Sequence, residues 1–162
     1  MSTRGGDMRR MTRTLSLGLL VALFGLLPSI AIAGVTKTPF TATITLTEVG
    51  APDRVWESGP ILHVRGEPNE GTVTGDLTGT VSIVNNYNLD PRTISGPGWG
   101  TFVIATADIT WEGTYRSKLE GGLNMGTFVG HGDDASRIKG SFAQTGEVEF
   151  TLEGVIIEPK GS

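Results

Sequence analysis

Alternation with a period of two runs through most of this chain and limits its fold more than any other feature. Phe40, Ala42, Ile44 and Leu46 alternate with Thr41, Thr43, Thr45 and Thr47. Near the C-terminus, Val148, Phe150, Leu152, Gly154 and Ile156 alternate with Glu147, Glu149, Thr151 and Glu153. Successive side chains of a strand point to opposite sides, so each segment has one apolar and one solvated face. An antiparallel sheet closing over a single core has this character. No window carries the periodicity of an amphipathic helix.

Between these two strands lies a longer alternating stretch, Val73, Gly75, Leu77, Gly79, Val81, Ile83, Asn85, Tyr87 and Leu89. It exceeds an ordinary flat strand. Its inward glycines, Gly75 and Gly79, fit either one strongly coiled barrel strand or two strands joined at a bend. Ile109, Trp111, Gly113 and Tyr115 form the inner face of another strand, and further strands are expected near 61–66, 99–105, 125–131 and 137–144. Turns are expected at Pro52-Asp53, at Glu67–Gly71, at Gly132-Asp133-Asp134 and at Thr145-Gly146. Residues 89–100 (LDPRTISGPGWG) are rich in Pro and Gly, and are expected to form the longest loop, a candidate lid over one end. The sum is about eight strands with short links, an all-β, antiparallel up-and-down β-barrel, with a β-sandwich as the alternative.

The first 33 residues differ in kind. Arg4, Arg9, Arg10 and Arg13 precede an apolar run from Leu15 to Leu27, and the segment ends on Ala31-Ile32-Ala33. A basic start, a short apolar middle and a small-residue exit define a secretory signal, with cleavage expected after Ala33. The apolar run is too short for a bilayer span and meets Pro28. A secreted or periplasmic location follows, with a lead at 34–38, a barrel domain at 39–157 and a tail at 158–162. Residues 34–162 keep nine of the 13 basic and 16 of the 17 acidic side chains, a net charge of −7. Nucleic acid is therefore not an expected partner, since phosphate binding needs clustered Lys and Arg. No membrane association is expected after signal cleavage. Glu147, Glu149, Glu153 and the threonine face of the first strand argue against a lipid-facing barrel, whose outer surface must be apolar.

Catalytic and metal chemistry find little footing. The absence of cysteine removes disulfides, thiolate metal sites and cysteine nucleophiles. His131, beside Asp133 and Asp134, falls short of the three or four ligands of a zinc site, and a polar turn is the expected reading. His63 is expected to turn away from the core. There is no G-x-S-x-G motif and no strand-to-helix phosphate loop. Glu112 adjoins Trp111 and so falls on the opposite, outer face. No metal or cofactor is expected. The residues of interest are aromatic: Phe102, Trp111, Tyr115 and Phe128 could line a hydrophobic pocket at a barrel mouth, or could simply fill the core.

The segments Gly71–Gly79, Gly98-Trp99-Gly100-Thr101-Phe102, Ile109–Thr114, Gly126–Gly132 and Ile138-Lys139-Gly140-Ser141-Phe142 follow one another in an order of glycines and aromatics. That order resembles bacterial proteins of the allene oxide cyclase-like barrel type, which are similar in architecture to plant allene oxide cyclases and dirigent proteins. The resemblance spans most of residues 39–157. It implies an eight-stranded barrel with an apolar cavity, often in an oligomer, so a homo-oligomer is an expectation. Some relatives steer cyclisation by confining a reactive substrate. No catalytic motif of those enzymes maps onto this chain residue by residue. Three functions therefore stand at this point: a binder of a small apolar ligand, a cofactor-free isomerase or cyclase, and an interaction protein with a solid core.

Overall fold

The computed structural model describes residues 35–159, and the expected export signal at 1–33 lies outside them. Nine strands follow one another: β1 (Thr36–Val49), β2 (Arg54–Ser58), β3 (Ile61–Gly75), β4 (Gly79–Leu89), β5 (Gly96–Thr106), β6 (Thr110–Glu120), β7 (Leu123–Gly132), β8 (Arg137–Gln144) and β9 (Glu149–Glu158). From β2 to β9 each strand pairs antiparallel with the next. β1 closes the ring, bonded to β9 along one edge and to β3 along the other. The chain is thus an eight-stranded up-and-down barrel with one extra strand, β2. The β1–β3 pairing rules out the sandwich, because it leaves no open seam between two sheets.

β2 continues the course of β1 along the same edge of β3. β1 pairs with Asn69–Gly75 and β2 with Ile61–Arg65. Between them Gly50 N–H donates to Pro68 O at 2.7 Å and Asp53 N–H donates to Gly66 O at 3.4 Å. The β2–β3 hairpin therefore extends past the closed ring as a lip. Turns at 76–78, 107–109 and 133–136 lie at one end of the barrel. Those at 59–60, 90–95, 121–122 and 145–148 lie at the other, with the lip.

Two expectations need correction. Glu67–Gly71 is not a connection but the middle of β3. A bulge between Val64 and Glu67 lets the strand pass through it, with Gly66 at φ +67°, and Pro68 sits where β3 changes partner from β2 to β1. Residues 89–100 are not one long loop. Gly96–Gly100 open β5, paired with β6, and only 90–95 form a turn, closed by the Asp90–Ser95 bridge. Of the two readings open for the stretch 73–89, the structure has the second: two strands joined at 76–78.

The glycines of β5, β6, β8 and β9 have a specific packing role. Phe40 stands opposite Gly154, Phe102 opposite Gly113, Tyr115 opposite Gly100 and Phe128 opposite Gly140, each as direct partners on neighbouring strands. A Cβ at Gly140 would fall 2.8 Å from Phe128 Cζ, and one at Gly154 would fall 2.9 Å from Phe40 Cε1. The missing side chains let the rings lie over the sheet, which puts large apolar groups into a narrow barrel. Phe102 meets Phe128 edge-on at 5.9 Å, and Phe40 meets Phe128 at 6.4 Å. With Ile104, Val73, Val81, Ile138 and Leu152 they form one buried cluster.

Candidate functional site

The barrel interior is divided along its axis. Towards the 76–78, 107–109 and 133–136 turns it is packed by Val73, Leu77, Trp111 and Ile138, all buried. The indole of Trp111 donates from Nε1 to Ser136 Oγ at 2.9 Å, and Ser136 is itself buried. Towards the lip end the packing stops short, leaving a partly enclosed cavity of about 80 Å³. This is roughly half the engineered, hydrocarbon-lined cavity that admits benzene, so it suits a short apolar chain.

The cavity wall is chiefly apolar: Ile44, Ile83, Phe102, Phe128, Phe142 and Phe150 are among its lining residues. Phe142 links Tyr115 and Phe150 through edge-on contacts at 5.8 and 6.3 Å. Three polar side chains also reach the wall, Asn85, Tyr115 and Asn124. Phe102, Tyr115 and Phe128, three of the four aromatic candidates, thus come together here. Trp111 does not. It lies four residues before Tyr115 on β6, roughly 13 Å along a strand at about 3.3 Å per residue, and belongs to the packed end.

The polar groups concentrate at the mouth. Glu67 pairs directly with Asn85 across β3 and β4, and Asn69 pairs with Ile83. The Tyr115 hydroxyl reaches over Gly100 of β5 and donates to Asn85 Oδ1 on β4. Burial, and then the negative charge of Glu67, push the Tyr115 hydroxyl above its ordinary value, so it stays protonated. The same two causes, with a hydrogen bond to Glu67, raise Tyr87. Three buried polar atoms among the described residues have no partner within the protein: Asn69 Oδ1, Ser117 Oγ and Asn124 Oδ1. All three residues fall on inward positions of β3, β6 and β7 in the lip-end half of the barrel. Buried polar atoms are normally paired, so this concentration marks the mouth as the chemically unsatisfied part of the fold.

The rim is apolar outside. Val49, Val55, Ile94, Leu123 and Val148 are exposed, and each lies in a turn or strand end at the lip end. Glu112 is exposed on the outer face, between Val103 and His131 on the adjacent strands. His131 is also exposed, and no three His, Asp or Glu side chains converge among the described residues. His63 faces outward, stacked on Trp56 at 4.8 Å, with Nδ1 2.7 Å from Asn88 Oδ1. No protein-family model, curated protein or solved structure matches the chain.

Asn85 and Tyr87 were visible in the sequence as polar groups on the inward face of an alternating strand, where a polar side chain is the informative exception. Glu67 and Asn69 gave no such signal, because the bulge at Gly66 shifts the alternation and Pro68 disguises the strand. Asn124 lies at a strand start that alternation does not resolve.

Proposed function

We propose that this chain is an exported β-barrel that holds a small apolar ligand in its interior. The observation that carries the reading is the division of the interior: a solid, internally satisfied end and an apolar cavity whose polar groups collect at one mouth. Ligand sites commonly combine an apolar wall with a few placed polar groups. Phe102, Tyr115 and Phe128 would hold the apolar part, and the exposed rim valines with Ile94 would ease its entry. Export by the general secretory route, with cleavage after Ala33, rests on the basic, apolar and small-residue order of residues 1–33. The fold gives that cut room, since β1 begins at Thr36.

A second reading, a cofactor-free isomerase or cyclase, draws support from Glu67. A carboxylate acting on Tyr115 at a cavity wall is the kind of group that acid–base chemistry on a confined substrate would use. The resemblance to allene oxide cyclase-like barrels points the same way. The cavity argues against the third reading, a solid-core interaction protein.

Native mass spectrometry of protein purified from an exporting host tests the proposal in one measurement. The expected spectrum shows a chain beginning at Gly34 together with a retained small molecule. An intact leader on the exported protein would overturn cleavage after Ala33, and retention of the whole chain inside the host would overturn the export reading. A ligand-free chain that also takes up no added short-chain alcohol, amine or hydrocarbon would overturn the binding reading.

A further inference from the structure

Among the described residues, β2 differs from every other strand in being hydrogen-bonded along one side only, to β3. Its second edge presents backbone N–H and C=O groups that no strand of the barrel meets. The two faces of the strand differ in chemistry. Arg54 and Trp56 share the outward face with His63, Arg65 and Asn88. No Asp or Glu occupies that face of β2, of β3 up to the bulge, or of β4 opposite them. Arg54 is exposed and lies 4.4 Å from the Trp56 ring centroid, and Arg65 donates to uncharged acceptors, Tyr87 O and Asn88 Oδ1. Neither guanidinium has a carboxylate partner, since the ion pairs among the described residues are Asp90–Arg92 and Lys118–Glu120. Residues 34–162 carry a net charge of −7, so two adjoining arginines without an acid are a local charge left unmatched. On the other face of β2, Val55 is 51% exposed.

We propose that the free edge of β2 takes up an extended acidic peptide segment of a partner protein as an added strand, with acidic and apolar side chains alternating. The unpaired edge calls for a polypeptide, because a second main chain answers its N–H and C=O groups where an acidic glycan does not. The arginines call for carboxylates. Side chains directly opposite one another lie on one face of a sheet, so an acid faces Arg54 and the adjoining apolar residue meets Val55. A second copy of this chain does not supply that pattern. Two-fold antiparallel pairing of β2 with itself sets residues of like parity opposite each other, as Arg54 against Ser58, so Glu57 never meets Arg54.

NMR titration of the purified protein with a blocked hexapeptide of alternating Val and Glu tests the proposal. Saturable amide shifts are expected across Arg54–Ser58 and Ile61–Arg65, with the matching Val and Lys peptide binding about 5-fold more weakly. Arg54→Glu is expected to reduce or reverse that preference. Forms of the acidic peptide N-methylated at every Glu or at every Val test the main chain, and at least one is expected to lose binding, because alternate N–H groups face the sheet. Absence of shifts at β2, equal binding of the basic peptide, or undiminished binding of both methylated forms would each overturn the proposal. Polygalacturonate binding at β2 as well as the peptide would overturn it too, since charge alone would then suffice. Shifts at β2 that grow with protein concentration without peptide would assign the edge to a second copy instead. Should Arg54→Glu fail to fold, the peptide comparisons on the unaltered chain decide.

Discussion

The indole nitrogen of Trp111 donates to Ser136 Oγ at 2.9 Å across 25 positions of sequence, inside the packed end of the barrel. Both residues are at least 98% buried, so neither group has water as an alternative partner. Ser136 is fixed in turn by its own N–H, which donates to Asp134 Oδ1 at 2.9 Å. Replacing Ser136 by alanine leaves the Trp111 N–H orphaned, at a cost of about 1–3 kcal/mol. Urea unfolding of Ser136→Ala should show a lower midpoint with an unchanged slope. A midpoint equal to that of the unaltered chain would mean the tie contributes nothing.

The ring-over-glycine pairs predict a second loss. In Gly140→Ala the new methyl meets Phe128 Cζ at 2.8 Å and Gly154 Cα at 2.8 Å, so the ring or the β8–β9 ladder must shift. Overpacking of this kind costs about 1–3 kcal/mol. At Gly121, where nothing lies within 4 Å but φ is +59°, alanine is strained by backbone conformation alone. Thermal melts should show both variants losing stability, and aromatic NMR separates the causes: shifted proton resonances of Phe128 are expected for Gly140→Ala only.

Acid titration should single out the 90–95 turn. Asp90 accepts from Arg92 Nε, Nη2 and backbone N–H, at 3.1, 2.8 and 3.0 Å. Those bonds hold its carboxyl down to about 2, against an ordinary 3.8. A depressed folded-state value stabilises the turn above the ordinary pKa, and that contribution is lost as pH falls from about 4 towards 2. Carboxyl NMR should therefore show Asp90 titrating near 2 and returning towards 3.8 in Arg92→Ala. Equal midpoints in the two proteins would contradict the assignment.

The lip depends on Arg65. Its guanidinium lies 5.1 Å from the Trp56 ring centroid and 4.6 Å from that of Trp99, while Nη1 donates to Tyr87 O at 2.9 Å and Nη2 to Asn88 Oδ1 at 2.8 Å. Stacking and forked donation both need the planar group, so lysine is a poor substitute. Hydrogen exchange should show the β2 amides opening more readily in Arg65→Ala, by about 1–2 kcal/mol, with Arg65→Lys recovering less than half. Unchanged β2 protection would show that the strand is held by its ladder to β3 alone.

Much of this architecture is legible in alternation, since the inward sets Phe40, Ala42, Ile44 and Trp111, Tyr115 follow directly from a period of two. What escaped it has identifiable causes. Gly66 in the left-handed region inserts a residue into β3 and moves Glu67 and Asn69 to the inside, where a local pattern does not place them. Gly96–Gly100 resemble a loop in composition, yet Gly100 is strand because Tyr115 occupies the space above it. Sequence placed Trp111 and Tyr115 on one face, and correctly so. It did not resolve depth along the barrel axis, which separates a core tryptophan from a cavity tyrosine.

Titration with 1-hexanol followed by NMR of the aromatic side chains tests the central claim, a ligand-holding cavity, most directly. The account predicts saturable shifts at Phe102, Tyr115, Phe128 and Phe142, none at Trp111, and loss of the response in the cavity-filling variant Ile83→Phe with its fold intact. Shifts confined to the outer face, or an unaltered response in a folded Ile83→Phe, would contradict it.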